Sequence, residues 1–178
     1  LAGKAALAVT GDISATLAAI DKRLRRLEAI EAIKGVIARY TDGADKRNDP
    51  AIMGPLFHDD AVWEADGFGA HRGAATIAAA LAEIARAQIT WSIHYMVLPT
   101  VTVESDGRQA SCQWYLWELA KIRNADGETH DSWFAAKYNS TLIKDEAGWR
   151  FTWLKLNPLL NVPVGAPWPT PASAAFEI

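Results

Sequence analysis

The sequence predicts an α+β domain, with helices first and antiparallel strands after, the helices packed on one face of a curved sheet. Three observations carry that expectation. Apolar residues recur at steps of three and four between Ile13 and Tyr40, as on one face of a helix. Beyond about residue 88 the apolar period falls to two, as along a half-buried strand. Asp-Gly pairs at Asp106-Gly107 and Asp126-Gly127 then punctuate the strand-like half as hairpin turns. Helices followed by a run of strands make an α+β class, whereas alternation would make a parallel α/β sheet.

The elements follow in order. Residues 1–12 are small and weakly patterned, and read as a flexible arm. From Ile13 the stripe runs through Leu17, Ile20, Leu24, Leu27, Ile30, Ile33, Ile37 and Tyr40, which is one amphipathic helix or two consecutive ones. Asp21, Lys22, Arg23, Arg25 and Arg26 fall off the stripe and read as a solvated face. Asn48-Asp49-Pro50 stops the helix, since proline disfavours helical geometry in the residue before it. A short helix fits 51–57 and a strand 61–64, and Gly67, Gly69 and Gly73 mark a turn. A third helix fits 74–87, with Ile77, Leu81 and Ile84 on one face. Strand candidates are 89–104, 109–122, 131–144 and 148–157. The remainder holds Pro158, Pro163, Pro167, Pro169 and Pro171 and reads as an irregular, extended tail over 158–178. The folded domain is therefore expected over 13–157.

Composition removes several function classes. A chain of 178 residues fits one domain, and half its residues are hydrophobic, enough for a sizeable core. A net charge of −3 argues against a nucleic-acid partner, whose footprint is a basic excess. No apolar run reaches a membrane-spanning length, so no membrane partner is expected. Cys112 is the single cysteine, which removes an internal disulfide and a cysteine-based zinc site. The four histidines lack helical zinc spacing, so no metal is expected. With no secretory signal visible, a cytoplasmic location is the expectation, the periplasm staying open. Eight tryptophans suit either core packing or a pocket for a flat aromatic ligand.

Four residues carry candidate chemistry. Tyr40 continues the helix stripe, so its phenol should face the core. Asp45 falls near the same face at the helix end, where a carboxylate gains nothing from the helix dipole. His94 interrupts the apolar run Trp91-Ser92-Ile93-His94-Tyr95-Met96. Arg150 interrupts the aromatic strand Gly148-Trp149-Arg150-Phe151, and would offer a fixed positive charge if it pointed inward. A carboxylate to orient an imidazole, an imidazole to move a proton and a phenol to donate one suit proton abstraction from carbon.

The ordered segments Gly43-Ala44-Asp45-Lys46-Arg47, Leu56-Phe57-His58-Asp59-Asp60-Ala61-Val62-Trp63, Gly69 and Gly73, Ile93-His94-Tyr95 and Gly148-Trp149-Arg150-Phe151 resemble one family. It is the SnoaL-like branch of the nuclear-transport-factor-2-like superfamily. Within it, the chain looks most like the scytalone dehydratase, bile-acid 7α-dehydratase and hexachlorocyclohexane dehydrochlorinase group, over roughly 28–157. The resemblance implies a half-open barrel with the N-terminal helices on its concave face. It implies catalytic roles for Asp45, His94, Tyr40 and Arg150, no cofactor, a small-molecule substrate and a homotrimer. It also places Trp117 where the bile-acid enzyme has a second acid, which would turn Glu118 to the opposite face. Substrate walls are then expected from Trp63, Tyr115, Trp117 and Phe134, with Ser92 and Gln113 as polar contacts. The strand 110–119 is apolar on both faces; with Trp114 and Leu116 inward instead, that wall would change wholesale.

The expected activity is a cofactor-free lyase on a hydrophobic, aromatic or polycyclic molecule, eliminating water or halide, or releasing formaldehyde by carbon–carbon cleavage. An isomerase or polyketide-type cyclase would keep His94 and Asp45 but release nothing. A non-catalytic binding or assembly module would not need the two within hydrogen-bond reach.

Overall fold

Local signals in the chain set the element boundaries. The computed structural model describes residues 2–169, with side chains from residue 13 onward. The first helix, α1, is a single element over Ala2–Asp45, beginning well before the expected start at Ile13. It ends where Arg47 (φ 62°) and Asn48 (φ 54°) turn left-handed, and the Asp49 N–H closes back on the Gly43 carbonyl at 3.2 Å. The Asp49 carboxylate then accepts the Ala51 N–H at 2.9 Å and caps α2 (Pro50–Met53), whose first residue is the proline suited to that position. A 3₁₀ turn, Gly54–Leu56, follows.

The expected helix over 51–57 therefore stops before Phe57, which opens strand β1 (Phe57–Ala65). The glycine-rich turn holds a further strand, β2 (Gly69–Arg72), ahead of α3 (Ala74–Gln88). Four long strands come next: β3 (Ile89–Val103), β4 (Gln109–Arg123), β5 (Thr129–Asp145) and β6 (Gly148–Pro163). Pro158 and Pro163 thus lie within β6 and not in an irregular tail, and the last part of the expected tail falls outside the described residues. The proline at Pro158 is tolerated beside a register shift between Ala135 and Ala136 on β5.

The six strands form one sheet in the order β2-β1-β6-β5-β4-β3, curved and unclosed. It is mixed, not wholly antiparallel, because β1 runs parallel to β6. The connection between those two strands passes through α3 and four further strands, long enough to permit parallel pairing. Register shifts interrupt the ladder between Val97 and Thr100, where Leu98 adopts φ 56°, and between Thr141 and Leu142. Such bulges bend the strands that carry them.

The helices lie on the concave side and complete the core. Phe57, Trp114, Phe151 and Leu154 are fully buried, and Tyr40 packs edge-on against Phe57, Tyr138 and Phe151 at 5.8–6.3 Å. Along α1 the apolar stripe proves to be two stripes. Ala29, Ile33, Val36, Ile37, Tyr40 and Ala44 are buried, chiefly under β3, whereas Ile13, Leu17, Ile20, Leu24 and Leu27 are exposed. At ~100° per residue the two sets face nearly opposite sides of the helix.

Candidate active site

Three elements converge on one cavity: the end of α1, the middle of β3 and the middle of β4. Gly43 makes the first approach possible, because a Cβ there would stand 2.8 Å from the Met53 sulfur and 3.0 Å from Ile52. This close contact of α1 with α2 fixes the helix end that carries Asp45. Its carboxylate reaches across to β3 and one oxygen, Oδ1, accepts twice: from the His94 backbone N–H at 2.9 Å and from His94 Nδ1 at 2.8 Å. The double acceptance locks both the strand and the ring.

On the other side of the imidazole stands Glu118. The β3–β4 register sets His94 opposite Glu118, and Nε2 lies 3.6 Å from Oε1. Both side chains are almost enclosed, His94 at 10% and Glu118 at 8% exposure, while Asp45 is open at 37%. Burial raises the Glu118 carboxyl above its ordinary value; the His94 charge works against the shift and the Asp45 charge adds to it.

Tyr40, Trp63, Phe134 and Tyr138 line the same cavity, with Leu116, Ala120 and Ile122 from β4 beneath it. The Tyr40 hydroxyl accepts the Trp63 indole N–H at 3.3 Å, leaving its own proton for a further acceptor. Burial pushes the Tyr40 phenol above its usual value and Tyr138 well above it, so both stay protonated as donors. Ser132, Asn48 and Asn161 place polar groups elsewhere around the apolar wall. Burial also pushes the Cys112 thiol up to about 12, which leaves it inert as a nucleophile at neutral pH. Among the described residues no group of three or more His, Cys, Asp or Glu side chains is arranged to hold a metal ion.

The structure therefore brings together His94, Asp45, Tyr40, Trp63 and Phe134, and it separates the rest. Arg150 lies away from the cavity: its guanidinium binds the Asp145 carboxylate through Nε (2.9 Å) and Nη2, and reaches Asp59 at 3.1 Å through Nη1. It ties the β5–β6 hairpin to β1. Ser92 shares the inward face with His94 but does not line the cavity.

The parity expected for β4 is reversed. Ala110, Cys112, Trp114, Leu116, Glu118 and Ala120 are buried on the concave face, so Gln113, Tyr115 and Trp117 point to the outer one. There Tyr115 lies under the Lys137 ammonium at 5.6 Å and Trp117 stacks on Trp133 at 5.4 Å. Glu118 is accordingly the acid in the cavity. The signal that could have found it is the lone charge in an apolar run directly across the sheet from a lone histidine.

Comparison with known proteins agrees with this architecture. The model of the SnoaL-like domain matches residues 25–155. A hexachlorocyclohexane dehydrochlorinase of type 2 is 22% identical, with 84% of this chain aligned to 98% of it at a TM-score of 0.72. The type 3 dehydrochlorinase from Novosphingobium barchaimii is 21% identical over 84% and 99%, again at 0.72. A scytalone-dehydratase-like protein from Novosphingobium aromaticivorans is 19% identical over 85% and 98%, at 0.68. At such identities the likeness carries the fold alone. No curated protein gives a significant match.

Proposed function

Since the chain belongs to the SnoaL-like domain family, we propose that it is a cofactor-independent lyase that removes a proton from a hydrophobic small molecule and expels a leaving group. The observation that carries this reading is the chain of contacts Asp45–His94–Glu118 at the wall of an apolar cavity. A binding or assembly module would have no use for a buried imidazole held by one acid and facing another. Relatives of the same fold include dehydrochlorinases and a dehydratase-like protein, which supports a lyase-like activity.

In this reading Asp45, an acceptor only, keeps the proton of His94 on Nδ1. Nε2 then carries the lone pair and takes the proton from carbon. The electron pair of the broken C–H bond becomes the new double bond, and the leaving group departs with a proton from Glu118 or Tyr40. The raised pKa of Glu118 favours the protonated form that such a donor needs. After release, imidazolium and carboxylate stand side by side, and one proton transfer between them restores the starting state. Water or halide would leave by this route. Formaldehyde would leave from a hydroxymethyl compound if the base took the hydroxyl proton, the C–C bond broke and the acid reprotonated the carbon. The aromatic walls Trp63 and Phe134 suit a planar substrate. The working form is proposed to be a homotrimer.

A panel of hydroxylated, halogenated and hydroxymethyl aromatic compounds, followed by mass spectrometry, tests the proposal. His94→Ala should lower kcat/KM by about 10²–10⁴-fold, the usual contribution of general acid–base catalysis, with the fold intact by circular dichroism. Undiminished turnover in that variant would exclude the mechanism. Conversion without release of a small molecule would assign an isomerase or cyclase instead.

A further inference from the structure

The outward stripe of α1 has no role in the domain just described. Ile13, Leu17, Ile20, Leu24 and Leu27 are each 51–61% exposed, and every residue from Ile13 to Glu28 is exposed. Their spacing alternates strictly by four, three, four and three, which is a heptad seam and not the wider stripe of a helix packed on a sheet. On the opposite side of the same turns lie Ala15, Ala18, Ala19, Lys22 and Arg26, a small and charged face. The seam stops where Glu31 and Lys34 occupy the next two heptad positions and pair with each other at 2.6 Å. From Ala29 the apolar residues turn instead to the protein's own sheet.

We propose that this stripe is a self-association seam, in which Ile13, Leu17, Ile20, Leu24 and Leu27 pack against the same residues of other copies of the chain in a parallel helical bundle. Charge selects a second copy in that orientation. With Leu17 and Leu24 at a and Ile13, Ile20 and Leu27 at d, Arg23 falls at g and Glu28 at the following e, the pair that meets between parallel strands. An antiparallel register that matched all of Leu17–Leu27 would set Asp21 against Asp21 and Arg23 against Arg23. Leucine at a with isoleucine at two d positions favours bundles of more than two strands. The SnoaL-like match begins at residue 25, so four of the five seam residues, Ile13, Leu17, Ile20 and Leu24, precede the shared domain. The seam's location also leaves the cavity free, because the bundle would form beyond the body, on the far side of α1 from the buried stripe.

Two experiments on the full chain decide the matter. Mass photometry of the wild type should give an oligomer of more than two 19.4 kDa copies, and Leu17→Glu with Leu24→Glu should shift it to smaller species. Near-UV circular dichroism from the buried Trp114 should be unchanged in that variant. A monomeric wild type, or an oligomer indifferent to the double substitution, overturns the seam. Orientation is read by disulfide trapping, with Cys112 buried and out of reach. Leu24→Cys alone should cross-link to itself within the oligomer, and Arg26→Cys, on the other face, should not. Cross-linking only between Ile20→Cys and Leu24→Cys chains overturns the parallel arrangement. Arg23→Glu should weaken the oligomer, and adding Glu28→Arg should restore it; no rescue removes the charge argument.

Discussion

The two halves of α1 share one continuous backbone and lead opposite lives. The half from Ala29 onward buries its apolar side chains under β3 and ends in the carboxylate that holds His94. The half before it exposes an apolar seam to solvent, every residue from Ile13 to Glu28 being exposed. What separates them is phase: between Leu27 and Ile33 the apolar residues step by three twice in succession, and each such step falls short of a full turn. A helix can therefore change the partner it addresses within two turns, without a kink and without a break in its hydrogen bonding.

The largest test of this contrast lies at the inner end. Asp45→Asn keeps the shape of the side chain but lets the wrong tautomer of His94 form, and should reduce kcat by about 10²–10⁴-fold in steady-state assays. Leu24→Glu, at the outer end, should leave kcat within twofold; an equal loss in both variants would erase the distinction. Stability separates the halves next. Ile33 is completely buried, so Ile33→Ala should destabilise by about 2–5 kcal/mol in urea unfolding at any protein concentration. Leu24→Ala should affect unfolding only through the concentration-dependent oligomer.

A smaller effect is expected at the joint between α1 and α2. Gly43→Ala puts a methyl group 2.8 Å from the Met53 sulfur and should cost about 1–3 kcal/mol as overpacking. It should also lower turnover by shifting Asp45. Gly35→Ala is the matching control, since a Cβ there meets nothing within 4 Å; it should be neutral or slightly stabilising in the same melts.

The smallest effect is on the pH dependence of stability. The folded-state pKa of Glu118 is raised above its ordinary 4.5, with burial the main cause and Asp45 a lesser one. Between those values the native state holds more protons than the unfolded state, so this group makes stability fall as pH rises through the window above 4.5. Glu118→Gln should flatten that fall, leaving the two proteins alike only at lower pH. Asp45→Asn should narrow the window by removing one of its causes. A steeper decline in Glu118→Gln melts would contradict the assignment.

Much of the fold was legible because it rests on local signals. Period and Asp-Gly turns place α3 and the strands β3, β4 and β5 to within a few residues, whereas β6 runs six residues past its expected end at 157. Where a flexible arm over 1–12 was expected, helix α1 begins at Ala2. Short β2 escaped notice because glycines that signal a turn also edge a strand this brief. The parallel pairing of β1 with β6 depends on contacts remote in sequence, which no local pattern encodes.

In the site, helix phase turned Tyr40 inward and set Asp45 near the same face, whereas the pairing of Asp45 with His94 was expected from the family resemblance; the two lie 2.8 Å apart. Glu118 did not, because β4 offers large apolar groups on both faces: Trp114 and Leu116 against Tyr115 and Trp117. Alternation then fixes two sets but not which is inside. Arg150 misled for a related reason, since a charge inside an aromatic strand can be neutralised by neighbours, here Asp145 and Asp59, as readily as by a ligand.

The bulge at Leu98 sets which residues of β3 face the cavity. Starting from the hairpin, Val103 faces Ala110 and Val101 faces Cys112, all turned inward. Uninterrupted pairing from there would bring Tyr95 opposite Glu118 and send His94 to the outer face. The single extra residue accommodated between Val97 and Thr100 moves the reading frame of the strand by one, and His94 takes the inner place. Removing Leu98 would keep that frame, whereas straightening the strand with Leu98 retained would exchange the imidazole for a phenol. Which side chain enters this cavity is thus decided by one residue that does not line it.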